Sequence, residues 1–229
     1  MRFHRERTKD TRDSLAQSDD TPRNGRSLEQ WCEDIAAPTA APGGGAAAAL
    51  AAAFAASLVE MVAGLTMERK QYADVHAEAG RIRARTATLR GELIDLASKD
   101  ARSFAEFVTA LALPRSTEVE RSQRAHAKRA ALRQASLVQY ELLLRLVEVS
   151  ELGLSIAQTG HTGSMGDAAT AVFLAAGAAR GAYWAIRSNL GGGTTGSEGR
   201  SLPDSALSHL ERVEANEWRV RQLLSERVP

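Results

Sequence analysis

The side chains in this chain that suit chemistry are few, and most stand beside glycine or alanine. Asp167, in "HTGSMGDAATA", lies near the start of an alanine-rich helical stretch. A carboxylate there either moves protons or complements the helix dipole, the latter worth about 0.3–1 kcal/mol. Asp100, in "SKDARSFAEF", poses a parallel choice between proton transfer and a solvated helix face. Lys70 and Tyr72 follow closely on Thr66, and an ammonium there either neutralises developing charge or is simply solvated. Arg180 and Arg187 flank "GAYWAI". Seven residues apart, they share a helix face, and a guanidinium suits bidentate contact with a carboxylate.

Backbone can also do chemistry. Gly43, Gly44 and Gly45 stand directly before the most alanine-rich run of the chain. A glycine-rich helix start exposes N–H groups without a side chain in the way, and the helix dipole favours negative charge there. The spacing is neither G-x-G-x-x-G nor a P-loop: no strand precedes it and no Lys-Ser/Thr follows, which argues against a nucleotide site. A flexible helix start with no ligand is the competing reading.

Other groups point away from particular functions. The five histidines are scattered without an H-E-x-x-H pair, so no metal is expected; only His161 draws notice, in the turn before Asp167. Cys32 is the single cysteine, which excludes an internal disulfide and suits a reducing cytoplasm. Lys and Arg number 29 against 28 Asp and Glu, a net charge of +1, so there is no general pull toward nucleic acid. The basic cluster Arg121, Arg124, Lys128, Arg129 and Arg133 reads as a solvated helix face, since Glu118 and Glu120 accompany it. The N-terminus lacks the apolar core of a signal peptide. The uncharged run over 43–59 reads as a buried helix rather than a membrane span, because alanine is a poor lipid-facing residue and Glu60 closes it.

These residues need helices to position them. Residues 1–26 mix charges without an apolar period and read as a disordered tail, leaving 27–229 as one domain. Ser27 and Gln30 form a capping-box pattern opening a short helix with Leu28, Trp31 and Ile35 on one face, ended by Pro38 and Pro42. A helix of small residues over about 45–67 follows. The next, over about 73–113, carries Val75, Ala79, Ile82, Thr86, Leu89, Leu93 and Leu96 at three and four spacing. Thr117 and Glu120 cap a fourth, running to 158 before Gly160, with its apolar face on Leu137, Tyr140, Leu144, Val147 and 150–154. A fifth spans about 164–190 and ends in glycines 191–193, before a flexible "TTGSEGRS". Pro203 suits the first turn of a last helix bearing Leu207, Leu210, Val213, Trp218, Val220 and Leu224. No strand pattern appears. The expectation is an all-α antiparallel bundle of long helices, in which a second copy covers alanine-rich faces as a homodimer.

The stretch "PTAAPGGGAAAALAAAFAASLVEMVAGLTMERKQY" resembles the opening of the cyclodeaminase/cyclohydrolase family, found at the C-terminal end of formimidoyltransferase-cyclodeaminase and as stand-alone bacterial methenyltetrahydrofolate cyclohydrolases. "SKDARSFAEFVTALALPRST" resembles that family's acidic-then-Ala-Phe helix, and "GHTGSMGDAATAVFLAAGAARGAYWAIRSNL" its final signature block. The resemblance covers roughly 27–190. It implies a helical, dimeric enzyme that takes a tetrahydrofolate derivative as substrate or carrier. The reaction is either cyclodeamination of formimidoyl-tetrahydrofolate or addition of water to the methenyl form. By the same resemblance Asp167, Asp100 and Lys70 are the catalytic candidates. Pro42, Gly43, Gly44, Gly45, Thr66, Tyr72, Arg180, Arg187 and Asn189 are the candidates for binding substrate.

The chain departs from that family at several polar positions. Ala46 stands for a serine, Gly163 and Gly166 for an asparagine and a serine, Gln139 for a proline and Ala185 for an asparagine. Lost hydrogen-bonding groups leave open two further readings: a relative that modifies or cyclises another small molecule, and a folate-binding helical protein without catalysis.

Overall fold

The computed structural model describes residues 25–191 and 198–227, with side chains from 202 in the second stretch. The expected tail up to residue 24 and the segment after Gly191 up to 197 lie outside the described residues. Six α-helices occur among them: α1 (Leu28–Ala36), α2 (Gly44–Met67), α3 (His76–Leu111), α4 (Glu118–Thr159), α5 (Met165–Gly191) and α6 (Glu198–Arg227). Short 3₁₀ turns at Lys70–Val75 and Thr162–Ser164 join α2 to α3 and α4 to α5. The described residues contain no strand.

Local chemistry sets the helix starts. Both capping boxes form: Gln30 N–H donates to Ser27 Oγ at 3.2 Å, and Glu120 N–H donates to Thr117 Oγ1 at 3.2 Å. Arg26 stacks over the buried Trp31 ring and pairs with Asp34 at 3.2 Å, fixing the entry to α1. α2 begins without a side-chain cap of its own at Gly43.

Small side chains let the central helices approach closely. Ala46, Ala49, Ala52, Ala55, Ala56 and Ala63 are buried along α2, and Ala168, Ala171, Ala175, Ala179 and Ala182 along α5. α2 and α5 run antiparallel: Ala48 faces Gly181, while Thr66 at the other end meets His161. α3 returns antiparallel to α2, with Arg90 on Glu60 at 3.1 Å, and α4 antiparallel to α3, with Arg85 on Glu148 at 2.5 Å. Glu92 lies between Arg85 and Arg145. α6 closes the bundle against α5 and α4, where Asn216 donates to Ser150 Oγ at 3.0 Å in the core.

α2 has the length and hydropathy of a membrane span, yet 56% of its most apolar window is buried inside the bundle. Helices α3 and α4 outrun it. Asp100 is level with Gly45, so the rest of α3 and the first third of α4 project as a hairpin, clamped at its tip by Arg124 donating to the Leu111 carbonyl at 2.9 Å.

Four expectations need correction. Leu28 is 57% exposed, so the α1 face reduces to Trp31 and a half-buried Ile35. On α4, Leu137 and Leu144 point outward while Val138, Gln139, Leu142, Leu143 and Leu146 are buried. That stretch is apolar nearly all round, and the polar Gln139 masked the true inner face. On α6, Trp218 and Leu207 are exposed and Leu210, Val213 and Val220 are buried. α6 also starts at Glu198, which puts Pro203 in the second turn; one backbone hydrogen bond is forfeited there instead of none.

Candidate active site

The expected site residues gather at two ends of α2. The Gly45-to-Thr66 stretch spans about 30 Å at 1.5 Å per residue. At the glycine end lie buried Pro42, Gly43, Gly44, Gly45 and Asp100, with Arg187 and Asn189 on the last turns of the antiparallel α5. At the far end lie Thr66, Lys70, Tyr72 and Asp167.

Close approach explains one glycine. A Cβ on Gly45 would run into the Asp100 carboxyl and the Gln139 amide, whereas Gly43 and Gly44 face open space. Gln139 Nε2 donates to Asp100 Oδ1 at 2.6 Å, and the Ala46 N–H also favours the carboxylate. Asp100, from α3, thereby serves the uncapped start of α2. The first backbone hydrogen bond of α2 runs from Ala47 N–H to the Gly43 carbonyl at 3.1 Å. The N–H groups of Gly44 and Gly45 find no acceptor among the described residues, as first-turn amides do without a cap. Burial pushes the Asp100 carboxyl above the usual aspartate range; the Gln139 and Ala46 donors oppose that rise without cancelling it.

The far end is tied together by hydroxyls. Thr66 Oγ1 donates to the Val62 carbonyl at 2.8 Å and accepts from His161 N–H at 2.9 Å, joining α2 to the turn before α5. A Cβ at Gly160 would strike Thr66 Oγ1 and the Ile156 carbonyl, so that junction requires glycine. Thr162 N–H donates to the Tyr72 phenol oxygen at 3.0 Å. That backbone donor, with the Thr162 hydroxyl, holds Tyr72 below the usual tyrosine range. The His161 ring meets Tyr72 edge-on at 6.0 Å, and its Nδ1 lies 2.9 Å from Ser164 Oγ. Asp167 is exposed in the first turn of α5 and Lys70 is exposed in the 3₁₀ turn carrying Tyr72.

Arg180 and Arg187 part company. Arg180 donates to Glu214 at 2.8 Å and to the buried Glu217, which commits it to the α5–α6 seam. Arg187 lies 5.9 Å from the Tyr183 ring and 6.0 Å from the exposed Trp184 ring, with a 3.2 Å bond to the Tyr183 hydroxyl. A groove of about 520 Å³ between α2 and α3, lined by Ser57, Glu60, Met61, Gly64, Leu65, Glu68, Arg83 and Arg90, contains none of the expected site residues. No cluster of three or more His, Cys, Asp and Glu side chains converges among the described residues.

Sequence reasoning passed over Gln139 as a site residue, noting it only as a departure from a family pattern. An amide inside "SLVQYELLL" is the signal that marks it.

Comparisons with known proteins bear on the fold and the family. Over 202 residues the chain is 29% identical to methenyltetrahydrofolate cyclohydrolase of Methylorubrum extorquens, covering 88% of this chain and 95% of that protein. It is 34% identical over 140 residues to mouse formimidoyltransferase-cyclodeaminase, covering 61% of this chain but only 25% of the mouse protein. The crystal structure of formiminotetrahydrofolate cyclodeaminase from Thermotoga maritima superposes with a TM-score of 0.76 at 26% identity, covering 89% of this chain and 98% of that one. The sequence model of formiminotransferase-cyclodeaminase matches residues 27–196, and on that match the chain belongs to the formiminotransferase-cyclodeaminase family.

Proposed function

We propose that this protein is a folate-dependent one-carbon enzyme, converting formimidoyl- to methenyl-tetrahydrofolate or methenyl- to formyl-tetrahydrofolate, and that it works as a soluble cytoplasmic homodimer. The observation that carries the reading is Asp100, a half-buried carboxyl of raised pKa seated against glycine-bared backbone at the start of α2. Such a group exchanges protons closer to neutrality than an ordinary aspartate.

In cyclohydrolysis, Asp100 takes a proton from water as the water oxygen bonds to the methenyl carbon. The same proton then passes to the pterin nitrogen as its bond to that carbon breaks. The hydroxyl of the tetrahedral carbon loses its own proton to solvent, leaving a formyl group. In cyclodeamination, the folate N–H nitrogen attacks the formimidoyl carbon and its proton passes to the formimidoyl nitrogen; the protonated acid gives that nitrogen a further proton as its bond to the carbon breaks, and ammonia leaves with the methenyl ring closed. The far end contributes Lys70, Tyr72 and Asp167 to hold the pterin and balance charge, and Arg187 and Asn189 meet the carboxylates of the substrate.

A site needing both ends of α2 is incomplete in one protomer. Phe54 and Met61 are exposed on the outer stripe of α2, with Leu50, Leu58 and Leu65 partly so. A two-fold axis crossing that stripe would lay α2 antiparallel on its copy, bringing each glycine end beside the partner's Tyr72 end. No step calls for metal or nucleic acid. A changed substrate is the second reading, favoured by Ala46, Gly163, Gly166 and Ala185 at positions without polar side chains.

The test follows methenyl-tetrahydrofolate absorbance with wild type, Asp100→Asn, Asp167→Asn and buffer. Wild-type decay faster than buffer, reduced in each variant by at least about a hundredfold, is expected. Decay no faster than buffer, with formimidoyl-tetrahydrofolate also unconverted, refutes the folate reaction and favours the changed substrate.

A further inference from the structure

Gln139 lies on the inner face of α4 with 1% of its surface exposed, between the buried Val138 and Leu142. Its Nε2 is spent on Asp100 Oδ1 at 2.6 Å, and its Oε1 is buried without a hydrogen-bond partner. An unpaired buried carbonyl is a cost that an apolar side chain of similar shape would avoid, so core packing does not account for glutamine here. The amide's one productive contact is with Asp100, and both groups press on Gly45, where no Cβ has room. Three helices thus interlock at one carboxyl: α2 through Gly45, α3 through Asp100 and α4 through Gln139. The Ala46 N–H is the carboxyl's other donor, which makes Gln139 the side chain that fixes it.

We propose that Gln139 is the positioning residue of Asp100: its amide locks the carboxyl rotamer by holding Oδ1, and so keeps the carboxyl at the start of α2 in the orientation that meets the substrate. The inference rests on the reading of Asp100 as the proton-transfer group. Without Gln139 the carboxyl loses a donor that favours its charged form and gains rotamers that miss the reacting carbon.

The experiment uses the full chain with Gln139→Met, which nearly conserves volume, Gln139→Glu, which sets a second carboxyl against the first, and Asp100→Asn. Circular dichroism confirms folding in each. Carbon-13 carboxyl NMR follows the Asp100 titration, and steady-state kinetics give the pH profile of methenyl-tetrahydrofolate hydrolysis. The Asp100 titration is expected to move upward in Gln139→Met and further in Gln139→Glu. In Gln139→Met the matching limb of the kcat profile moves with it, kcat drops about tenfold and KM stays within about twofold. An unmoved titration in both glutamine variants overturns the proposal, as does an unchanged kcat profile in Gln139→Met while Asp100→Asn is inactive. Full turnover by Asp100→Asn instead refutes the role of Asp100, and the positioning role with it.

Discussion

On the proposed reading, Asp100 couples function to stability through the sign of its pKa shift. Its folded-state pKa lies above the unfolded value because burial outweighs the Gln139 and Ala46 donors. Between those two values the folded chain holds more protons than the unfolded one, so stability falls as pH rises through that window. The group's contribution is therefore complete below the ordinary aspartate range and lost above its folded pKa. Asp100→Asn removes the charge that burial disfavours. Its melting temperature is expected to exceed wild type at pH 7, with the gap closing as pH drops below about 4; a gap that is constant across pH would contradict the assigned shift. The two aspartates could be singled out from sequence only through the family resemblance, because by residue type alone each reads equally as a helix-dipole partner or a solvated face. Their separation could not, because placing Asp100 at one end of α2 and Asp167 at the other depends on the antiparallel paths of α3 and α5.

At the scale of the element, the three glycines separate into two roles. Gly45 is required by packing, since any Cβ there meets Asp100 and Gln139, whereas Gly44 is exposed and has open space. Gly45→Ala is expected to destabilise the fold by about 1–3 kcal/mol in urea unfolding and to impair turnover. Gly44→Ala should leave stability unchanged or raise it by up to about 1 kcal/mol, while weakening folate binding in a direct titration. Equal effects of the two substitutions would remove the distinction. Most helix boundaries were readable because their signals are local: capping boxes at Ser27 and Thr117, a stop at Gly160, and the run from Ala79 to Leu96 at mixed three and four spacing. The inner face of α4 was not, because its leucines occupy every side and only tertiary neighbours choose among them. Pro203 likewise misled, since a proline signals a helix start without fixing how far upstream the chain is already helical.

On the scale of the whole molecule, the central claim is that one catalytic centre draws on both ends of α2 and so on two copies of the chain. Within one protomer the ends stand about 30 Å apart, beyond the reach of one reacting carbon. The outer stripe of α2, with Phe54 and Met61 exposed, is the surface that a second copy would cover. Mixing inactive variants is the most direct test. Asp100→Asn and Asp167→Asn are each purified, unfolded, mixed in equal amounts and refolded together, and methenyl-tetrahydrofolate hydrolysis is measured. In a two-fold dimer with shared sites, each mixed dimer has one site carrying both substitutions and one carrying neither, so the mixture should recover about a quarter of wild-type activity. Activity no higher than that of the two variants measured separately, in a mixture shown by mass spectrometry to contain mixed dimers, would contradict the shared site.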